Sequence, residues 1–265
     1  MELDIRHLET PEAFRQAEAL QALVWGKEDV VPRHHLVAAC RNGGLALGAY
    51  SGADLIGFVY GFPGHAAGEA WLVSQLLAVH PAHRGRGLGL ALKLAQRRAA
   101  LTAGYTSISW TYDPLEAVNA SLNLQGLRAR GVRFVADYYG AMDDLLNAGL
   151  PSDRLVIRWD LREPRVAQAA AGEPSAWRPA GEPRALGIDR AQPVALASYP
   201  EARAVLVAIP LGFQAMKGAG GETPLRWRLA VRHAFQHYLA RGFRAEEFAL
   251  DQAQAAGWYL LTQGE

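Results

Sequence analysis

The first 160 residues alternate between strand-like and helix-like spacings of hydrophobic positions. Apolar and polar residues alternate over 3–8, which predicts a short strand. Thr10 and Pro11 are typical of a helix start, so we predict a helix from there to Gly26 and a second helix over 32–41. The same patterns then predict strands at 45–50, 54–62 and 70–79, a helix over 88–103, a strand at 107–112, a helix over 115–130, and strands at 132–140 and 154–161.

The composition changes after residue 161, and this change predicts a division of the chain. Residues 162–184 contain four prolines and many alanines, which is typical of a linker or an irregular wrap. We therefore predict a first domain over 1–161 and a smaller C-terminal α/β lobe over 185–265. The predicted elements of the lobe are strands at 185–189, 194–199 and 204–213, a helix over 225–241, and strands at 244–250 and 257–262. The expected fold class is α/β (α+β), with a central mixed sheet flanked by helices.

Composition and charge narrow the classes of function. Half of the 265 residues are hydrophobic and the formal net charge is +1, so a sizeable core is expected and nucleic acid is not an expected partner. The one cysteine, Cys40, excludes a disulfide within the chain and indicates a reducing compartment. The charged N-terminus is unlike a secretory signal, and no apolar stretch is long enough to cross a bilayer. We therefore expect a cytoplasmic protein without a membrane partner.

The stretch "SQLLAVHPAHRGRGLGLALKLAQRRAAL", residues 74–101, places a glycine-rich turn between a predicted strand and a predicted helix. The first N–H groups of a helix have no backbone partner, and the helix dipole adds partial positive charge there. Glycines permit positive φ angles and close approach of a ligand to the backbone, and Arg84 and Arg86 add charge. The turn therefore predicts a site for a phosphate or pyrophosphate. Its glycine spacing matches neither the dinucleotide fingerprint nor the P-loop.

These residues resemble the signature of the GCN5-related N-acetyltransferases (the GNAT superfamily). That signature is an apolar strand, then V-x-P, then R/Q-x-x-G-x-G/A at a helix start, and Val79, Pro81, Arg84, Gly87 and Gly89 fill it here. The predicted order of elements over about 2–161 agrees with the resemblance. It implies the GNAT fold and acetyl-CoA, or another acyl-CoA, as the co-substrate.

The resemblance also assigns roles around the loop. It implies that loop amides hold the pyrophosphate of coenzyme A and that the backbone of the preceding strand pairs with the pantetheine arm. An N–H within Leu76–Val79 would serve the oxyanion, and Asn119 would contact the pantetheine or the cleft. The predicted cofactor-binding residues are Leu77, Ala78, Val79, Arg84, Gly85, Arg86, Gly87, Leu88, Gly89 and Asn119.

A narrower likeness covers residues 110–140 and 147–161. They are similar to a branch of predicted GNAT acyltransferases that carries an extra C-terminal segment, and some of its relatives are tied to N-acylamino-acid metabolism. The chain departs from the family pattern at Gly126, which stands where many members place a tyrosine acid. The resemblance therefore assigns no residue to protonation of the leaving thiolate.

Candidate catalytic and substrate-binding residues lie at the ends of the predicted strands. Asp113 and Glu116 are candidate general bases, although Asp before Pro and Glu in a first helical turn are also typical of a helix cap. Tyr138 and Tyr139, predicted on the strand that follows, are candidate substitute acids or else core or subunit-contact aromatics. Ser74 and Gln75 are candidates for binding substrate or a water. Since they are adjacent in a strand, only one of them can face the site.

Two further features are predicted to be structural. His233 and His237 lack the glutamate of a zinc-protease helix and share a face with arginines, so no metal is expected. Cys40 is interpreted as a buried, inert thiol. The C-terminal lobe has no second R-x-x-G-x-G loop, so we do not expect it to bind coenzyme A.

Three functions remain open at this point. The first is a CoA-dependent N-acyltransferase that transfers an acetyl or other short acyl group, such as succinyl, to a small amine, an amino acid being one candidate, by direct attack. The second is a non-catalytic acyl-CoA-binding or sensor protein. The third is an arginine-rich anion-binding module that does not use coenzyme A. A homodimer is compatible with each of them.

Overall fold

The computed structural model describes residues 4–140 and 149–264, which form two compact units. The first unit extends to Trp110 and includes residues 160–163, and the second contains residues 111–159 and those from 164 onward. Both units contain a mixed β-sheet with flanking helices, so the predicted fold class is confirmed. Leu3, predicted as the first residue of a strand, lies outside the described residues. The predicted boundaries at 161 and 184 stay predictions, because compactness alone does not locate the limits of a folding domain.

The first unit contains the elements that the hydrophobic pattern predicts. They are β1 (Asp4–His7), α1 (Pro11–Trp25), α2 (Arg33–Arg41), β2 (Leu45–Ser51), β3 (Asp54–Ala66), β4 (Glu69–Val79), α3 (Leu88–Thr102) and β5 (Ser107–Tyr112), whose last two residues belong to the second unit. The strands follow the order β1-β2-β3-β4-β5, antiparallel as far as β4 and parallel between β4 and β5.

Local sequence explains where these helices begin and end. The Thr10 hydroxyl caps α1 by accepting a hydrogen bond from the Ala13 N–H at 3.2 Å, and Gly26 ends the helix with a φ of 104°. Helices cover both faces of the sheet, because α1 and α2 pack on the face that presents Phe58, whereas α3 packs on the face that presents Val59. Successive side chains of β3 point to opposite faces of the sheet and therefore contribute to two hydrophobic cores.

Over the described residues, the second unit contains the remaining strands and four more helices. Its elements are α4 (Ala117–Ala120), a π-helical turn over Ser121–Gly126, β6 (Arg130–Val135), β7 (Arg154–Asp160), α5 (Pro164–Ala170), β8 (Arg184–Asp189), β9 (Gln192–Ala195), β10 (Ala204–Pro210), α6 (Phe213–Ala219), α7 (Thr223–Leu239), β11 (Phe243–Asp251) and β12 (Ala256–Gln263). The strand order is β7-β6-β11-β12-β10-β8-β9, and within it β8 and β10 run parallel. The pairing of β6 with β11 joins residues before 160 to the C-terminal segment in one sheet. As predicted for a packing helix, α7 buries Trp227, Val231, Ala234 and Tyr238.

Four predictions for this unit need correction. The strand predicted at 194–199 is β9 at Gln192–Ala195 and ends before Leu196. The helix predicted over 115–130 ends at Gly126 in the π-helical turn, because Arg128 takes a φ of 56° where the chain turns into β6. Tyr138 and Tyr139 do not lie on a strand: β6 ends at Val135, and both tyrosines sit in the turn that follows. Within 162–184, residues 164–170 form α5, and the pattern did not predict α6.

Candidate functional site

The glycine-rich loop connects β4 to α3 through a short 3₁₀ turn at Pro81–His83. Gly85 and Gly87 both have a φ of 75°, and Gly87 caps α3 by accepting a hydrogen bond from the Ala91 N–H at 3.0 Å. A Cβ placed on either glycine would meet no atom within 4 Å. These positions therefore need glycine for its conformation rather than for space.

Two arginines flank this loop, and both are exposed. Arg84 folds back so that its Nε donates a hydrogen bond to the carbonyl oxygen of Val79 at 3.3 Å. Arg86 lies between the two positive-φ glycines. The Leu88 side chain is buried in the hydrophobic core between α3 and the sheet, so only its backbone can reach a ligand at the loop.

The strand before the loop contains a β-bulge at Gln75. Leu76 pairs with Tyr60 and Ser74 pairs with Gly61, so Gln75 is the extra residue in β4. The bulge lies one residue before the stretch Leu76–Val79 that was predicted to serve the oxyanion. Gln75 is exposed whereas Ser74 is buried, as expected for neighbours on opposite faces of the sheet.

The parallel strands β4 and β5 pair over a short stretch. Leu72 pairs with Ile108 and Val73 pairs with Ser109, and the described residues contain no later pair between these strands. Beyond the bulge, Leu76–Val79 continue to pair with β3. The edge of β4 that faces away from β3 is therefore outside the ladder over the residues that lead to the glycine loop.

A cavity of about 570 Å³ lies beside Gln75 in the first unit. Its other lining residues are Asp29, Val30, Val31, Pro32, His35, Ala38, Ala39, Tyr60 and Phe62. Burial raises the pKa of Tyr60 to about 12, so its hydroxyl stays protonated at neutral pH. The buried amide of Gln21 fixes one wall, because its Oε1 accepts a hydrogen bond from the Val31 N–H at 2.9 Å. No sequence pattern predicted Gln21 or this cavity.

On the opposite face, Ser74 joins a buried polar cluster with two residues of α3. The Nζ atom of Lys93 donates hydrogen bonds to the Ser74 hydroxyl and to Oε1 of Gln96, both at 2.9 Å. Burial lowers the pKa of Lys93 well below that of an ordinary lysine. This cluster was not predicted, although the sequence carries a signal for it: two polar residues three positions apart on the apolar face of a helix.

In the second unit, Asp113 is held by a buried arginine. Its Oδ1 accepts hydrogen bonds from the Leu115 N–H at 2.9 Å and from Nη1 of Arg228 at 2.8 Å, and its Oδ2 accepts one from Nη2 of Arg228 at 2.5 Å. The bond to Leu115 is the cap-like contact expected of Asp before Pro. Both carboxylate oxygens are therefore already engaged within this unit.

Glu116, three residues later, is in a different environment. Burial raises its pKa above that of an ordinary glutamate, and a hydrogen bond from Nε2 of Gln214, at 2.5 Å to Oε1, opposes the rise. A hydrogen bond also holds the turn that contains both acids. The Tyr259 hydroxyl donates it to the carbonyl oxygen of Pro114 at 2.8 Å.

The other predicted residues of this unit are more exposed. Asn119 lies exposed on α4, whereas Asn123, one helical turn later, is buried. Tyr138 and Tyr139 are 43% and 55% exposed, and their ring centroids lie 4.6 Å apart. The Tyr139 hydroxyl lies 3.4 Å from that of Thr111.

The structure thus places the predicted residues in two groups. Ser74, Gln75, Leu77–Val79 and Arg84–Gly89 belong to the first unit. Asp113, Glu116, Asn119, Tyr138 and Tyr139 belong to the second unit. The roles assigned to both groups stay predictions.

Neither a metal site nor a membrane span is found in the described part of the chain. Residues 4–140 and 149–264 contain no cluster of three or more His, Cys, Asp or Glu side chains that could hold a metal ion. Over the same ranges, every helix is too short or too polar to cross a bilayer.

Residues 4–123 match the model of the acetyltransferase (GNAT) family. No curated protein matches the chain significantly. Among solved structures, the chain is similar to the ribosomal-protein-S18-alanine N-acetyltransferase from Escherichia coli, with 15% identity, a TM-score of 0.48, and coverage of 61% of this chain and 96% of that one.

Two more solved structures illustrate the likeness. Naa50 from Arabidopsis thaliana, in complex with the bisubstrate analogue CoA-Ac-MVNAL, has 13% identity and a TM-score of 0.48, over 60% of this chain and 98% of that one. The GNAT family N-acetyltransferase YhbS from Escherichia coli, in complex with CoA, has 25% identity and a TM-score of 0.37, over 42% and 63% of the two chains. The bisubstrate analogue and CoA are bound in those two structures.

Proposed function

We propose that this chain is an acetyl-CoA-dependent N-acetyltransferase of the acetyltransferase (GNAT) family, whose model matches residues 4–123. We further propose that its acceptor is a small primary amine, with amino acids as the first class to test. The transferred group is acetyl or another short acyl group such as succinyl. The observation that carries the proposal is the geometry of β4, which bulges at Gln75, leaves β5 after Val73 and runs into the glycine loop.

The loop suits a pyrophosphate for a physical reason. Gly85 and Gly87 lead into the start of α3 with positive φ angles, and a Cβ on either would meet no atom within 4 Å. The first N–H groups of α3 and the helix dipole favour an anion there. Arg84 and Arg86 add positive charge from side chains that are exposed. These residues would hold the diphosphate of acyl-CoA.

The strand edge suits the pantetheine arm. Over Leu77–Val79, β4 pairs with β3 on one side, and its other edge is outside the β4–β5 ladder. Peptide groups on such an edge can bond the amides of an extended ligand as another strand would. The bulge at Gln75 turns backbone N–H groups out of the regular ladder, which is where a donor to a developing oxyanion is needed.

The cavity beside Gln75 is our candidate for the acceptor site. Its lining is mainly apolar, with Asp29, His35 and Gln75 as polar members. A volume of about 570 Å³ suits a small molecule rather than a folded protein. An acidic side chain among apolar neighbours favours a ligand that carries a positive charge on an apolar body, as a protonated amine does.

For the proton transfers we favour Glu116 as the base over Asp113. The Asp113 carboxylate already accepts three hydrogen bonds, two of them from Arg228, so both of its oxygens are engaged in holding the second unit together. Burial raises the pKa of Glu116, which brings its basicity closer to that needed at neutral pH. The thiolate would take its proton from Tyr138, Tyr139 or solvent.

We also propose direct attack by the amine, without a covalent acyl-enzyme. Burial raises the pKa of the Cys40 thiol to about 11, so very little of it is thiolate at neutral pH. Cys40 also packs against the apolar cluster of α1, α2 and the sheet. A Cys40→Ala protein is expected to retain activity, and its inactivation without loss of fold would favour a thiol intermediate.

The experiment that tests the function measures release of free coenzyme A from acetyl-CoA and succinyl-CoA across a panel of amines and amino acids. Turnover with at least one small amine is the expected result. The second candidate is a non-catalytic acyl-CoA sensor, favoured by Gly126 at the usual position of the acid. Calorimetric binding of CoA without turnover of any amine would favour the sensor, and absence of CoA binding would contradict both.

A further inference from the structure

One amino group contacts both strands at the point where their pairing ends. Ser74 on β4 and Trp110 on β5 each lie two residues beyond the paired Leu72 and Ile108, and therefore on the same face of the sheet. The Nζ atom of Lys93, on α3, lies 2.9 Å from the Ser74 hydroxyl and 3.7 Å from the centroid of the Trp110 ring. All these residues belong to the first unit.

The amino group is held in place by a third side chain. Oε1 of Gln96 accepts hydrogen bonds from Lys93 Nζ at 2.9 Å and from the Ser74 hydroxyl at 3.0 Å, which closes a triangle. Lys93 is 2% exposed and Gln96 is fully buried, so neither side chain can swing into solvent. Nε2 of Gln96 is buried and has no hydrogen-bond partner among the described residues.

A lysine at this place costs stability. Position 93 lies on the apolar face of α3 beside Leu92, and an unbranched apolar side chain such as methionine would fill it without the cost of burying an amine. Proteins tolerate buried ionisable groups mainly where a function requires them. The arrangement therefore needs an explanation other than packing.

We propose that Lys93 is a positioning residue that holds β4 and β5 apart, an inference that rests on the proposed function. It thereby keeps open the edge of β4 over Leu77–Val79, which we call the acyl-CoA slot. Paired strands lie about 4.8 Å apart. An amine that bonds the Ser74 side chain and lies against the Trp110 ring fixes the separation of these two side chains. We expect this contact to keep the backbones beyond Val73 further apart than a ladder requires. The edge of Leu77–Val79 then stays available to the ligand.

The first test does not depend on coenzyme A. Amide hydrogen exchange over 74–79 and 107–110 is compared between wild type, Lys93→Met and the matched control Leu92→Met, which changes a neighbouring buried residue that packs on β2 and β3. We expect slower exchange in Lys93→Met only, because the strands pair further. Unchanged exchange in a folded Lys93→Met protein overturns the inference, whether or not the protein binds CoA.

The second test asks whether the separation of the strands affects binding of coenzyme A. In calorimetry, Lys93→Met is expected to raise the Kd of CoA about tenfold, the effect of losing roughly one backbone hydrogen bond, and Leu92→Met is expected to keep it within about twofold. With an accepted amine, the KM for acetyl-CoA should rise more than kcat falls. Unchanged CoA affinity in Lys93→Met with slowed exchange overturns the role in the slot.

Three further outcomes can be distinguished from one another. If wild type binds no CoA, the proposed function fails, and the exchange experiment still decides whether Lys93 holds the strands apart. If Lys93→Met does not fold, Ser74→Ala removes the contact to β4 alone, and unchanged exchange in that protein overturns the inference. An acyl group found on Lys93 by peptide mass mapping, after incubation with acetyl-CoA, would also overturn a purely positioning role.

Discussion

Arg228 binds Asp113 through two parallel hydrogen bonds, from Nη1 to Oδ1 at 2.8 Å and from Nη2 to Oδ2 at 2.5 Å. The side chains of the pair are 3% and 11% exposed, so water screens the two charges poorly. Arg228 lies on α7 and Asp113 follows β5, 115 positions earlier in the chain. This contact makes a predicted catalytic carboxylate a structural link within the second unit.

We expect Asp113→Asn to lower the free energy of unfolding by about 3–5 kcal/mol, because the change leaves the buried Arg228 charge without its counter-ion. Urea denaturation measures the loss. The matched control is Glu12→Gln, which breaks the exposed pair with Arg15 and should change stability by less than about 1 kcal/mol. An Asp113→Asn protein that is as stable as wild type yet inactive would instead identify Asp113 as a catalytic group.

Glu116 should give the protein a pH dependence of the opposite sign to that of a paired carboxylate. Its pKa in the folded protein is raised by burial, so the folded state holds the proton over a pH range in which the unfolded chain has released it. Stability should therefore fall as pH rises from the ordinary glutamate range through the raised value. In Glu116→Gln this fall should disappear in urea denaturation at a series of pH values.

The same residue should set the acid limb of activity. If Glu116 is the base, kcat/KM should decrease as pH falls through its raised pKa, and Glu116→Gln should lower kcat by about 10²–10⁴-fold. Gln214→Ala is the companion variant: it removes the bond that opposes the rise and should move the limb to higher pH. An unmoved limb in Gln214→Ala, or full activity in Glu116→Gln, would falsify the assignment.

Gly87 should be required for its backbone conformation. At a φ of 75°, an alanine costs about 1–2 kcal/mol, and the strain is relieved by turning the loop amides away from the ligand. We expect Gly87→Ala to weaken CoA binding by about tenfold or more in calorimetry. Gly52→Ala is the control, since Gly52 has a φ of 63° with equally open space but lies in the β2–β3 turn. Equal CoA affinity in both variants would contradict the predicted role of the loop.

Removal of the C-terminal segment should unfold what remains of the second unit. A chain that ends at Asp160 loses β11, the neighbour of β6, and it loses Arg232, whose two hydrogen bonds hold the fully buried Asp153. We expect aggregation in size-exclusion chromatography and no cooperative thermal transition for residues 111–159. A monodisperse and fully active chain of 160 residues would show that the segment is dispensable.

The hydrophobic pattern predicts the first unit well because its elements have regular buried faces. α1 begins at the predicted proline, and α3 and β5 begin at the predicted residues. The pattern fails in the second unit where tertiary structure overrides it. The leucine spacing after Leu115 continues past Gly126, but the backbone of Arg128 leaves helical conformation to enter β6.

The candidate site divides in the same way. The glycine loop could be predicted because its physics is local: a strand end, two positive-φ glycines and a helix start follow one another in the chain. The partners of Asp113 and Glu116 could not be predicted, since Arg228 and Gln214 are about a hundred residues distant in sequence. The contact of Lys93 with Ser74 depends on which helix face meets the sheet.

Lys93 should leave a signature in stability that is independent of any ligand. Burial lowers its pKa well below the usual lysine value of 10.5, so between those two values the unfolded chain binds more protons than the folded protein. Wild-type stability should therefore rise with pH across this window, by up to about 1.4 kcal/mol per pH unit. Lys93→Met lacks the titrating group, and Ser74 and Gln96 can still bond each other in it.

We therefore expect Lys93→Met to be more stable than wild type near pH 7 and to lose this advantage progressively toward pH 10. Urea denaturation of both proteins at pH 6, 7, 8, 9 and 10 measures the difference directly. Lys27→Met, at an exposed lysine, is the control and should show no such slope. A constant difference between Lys93→Met and wild type over this range would mean that the amine is charged in the folded protein. Its cost of burial would then be offset by its contacts with Trp110, Ser74 and Gln96.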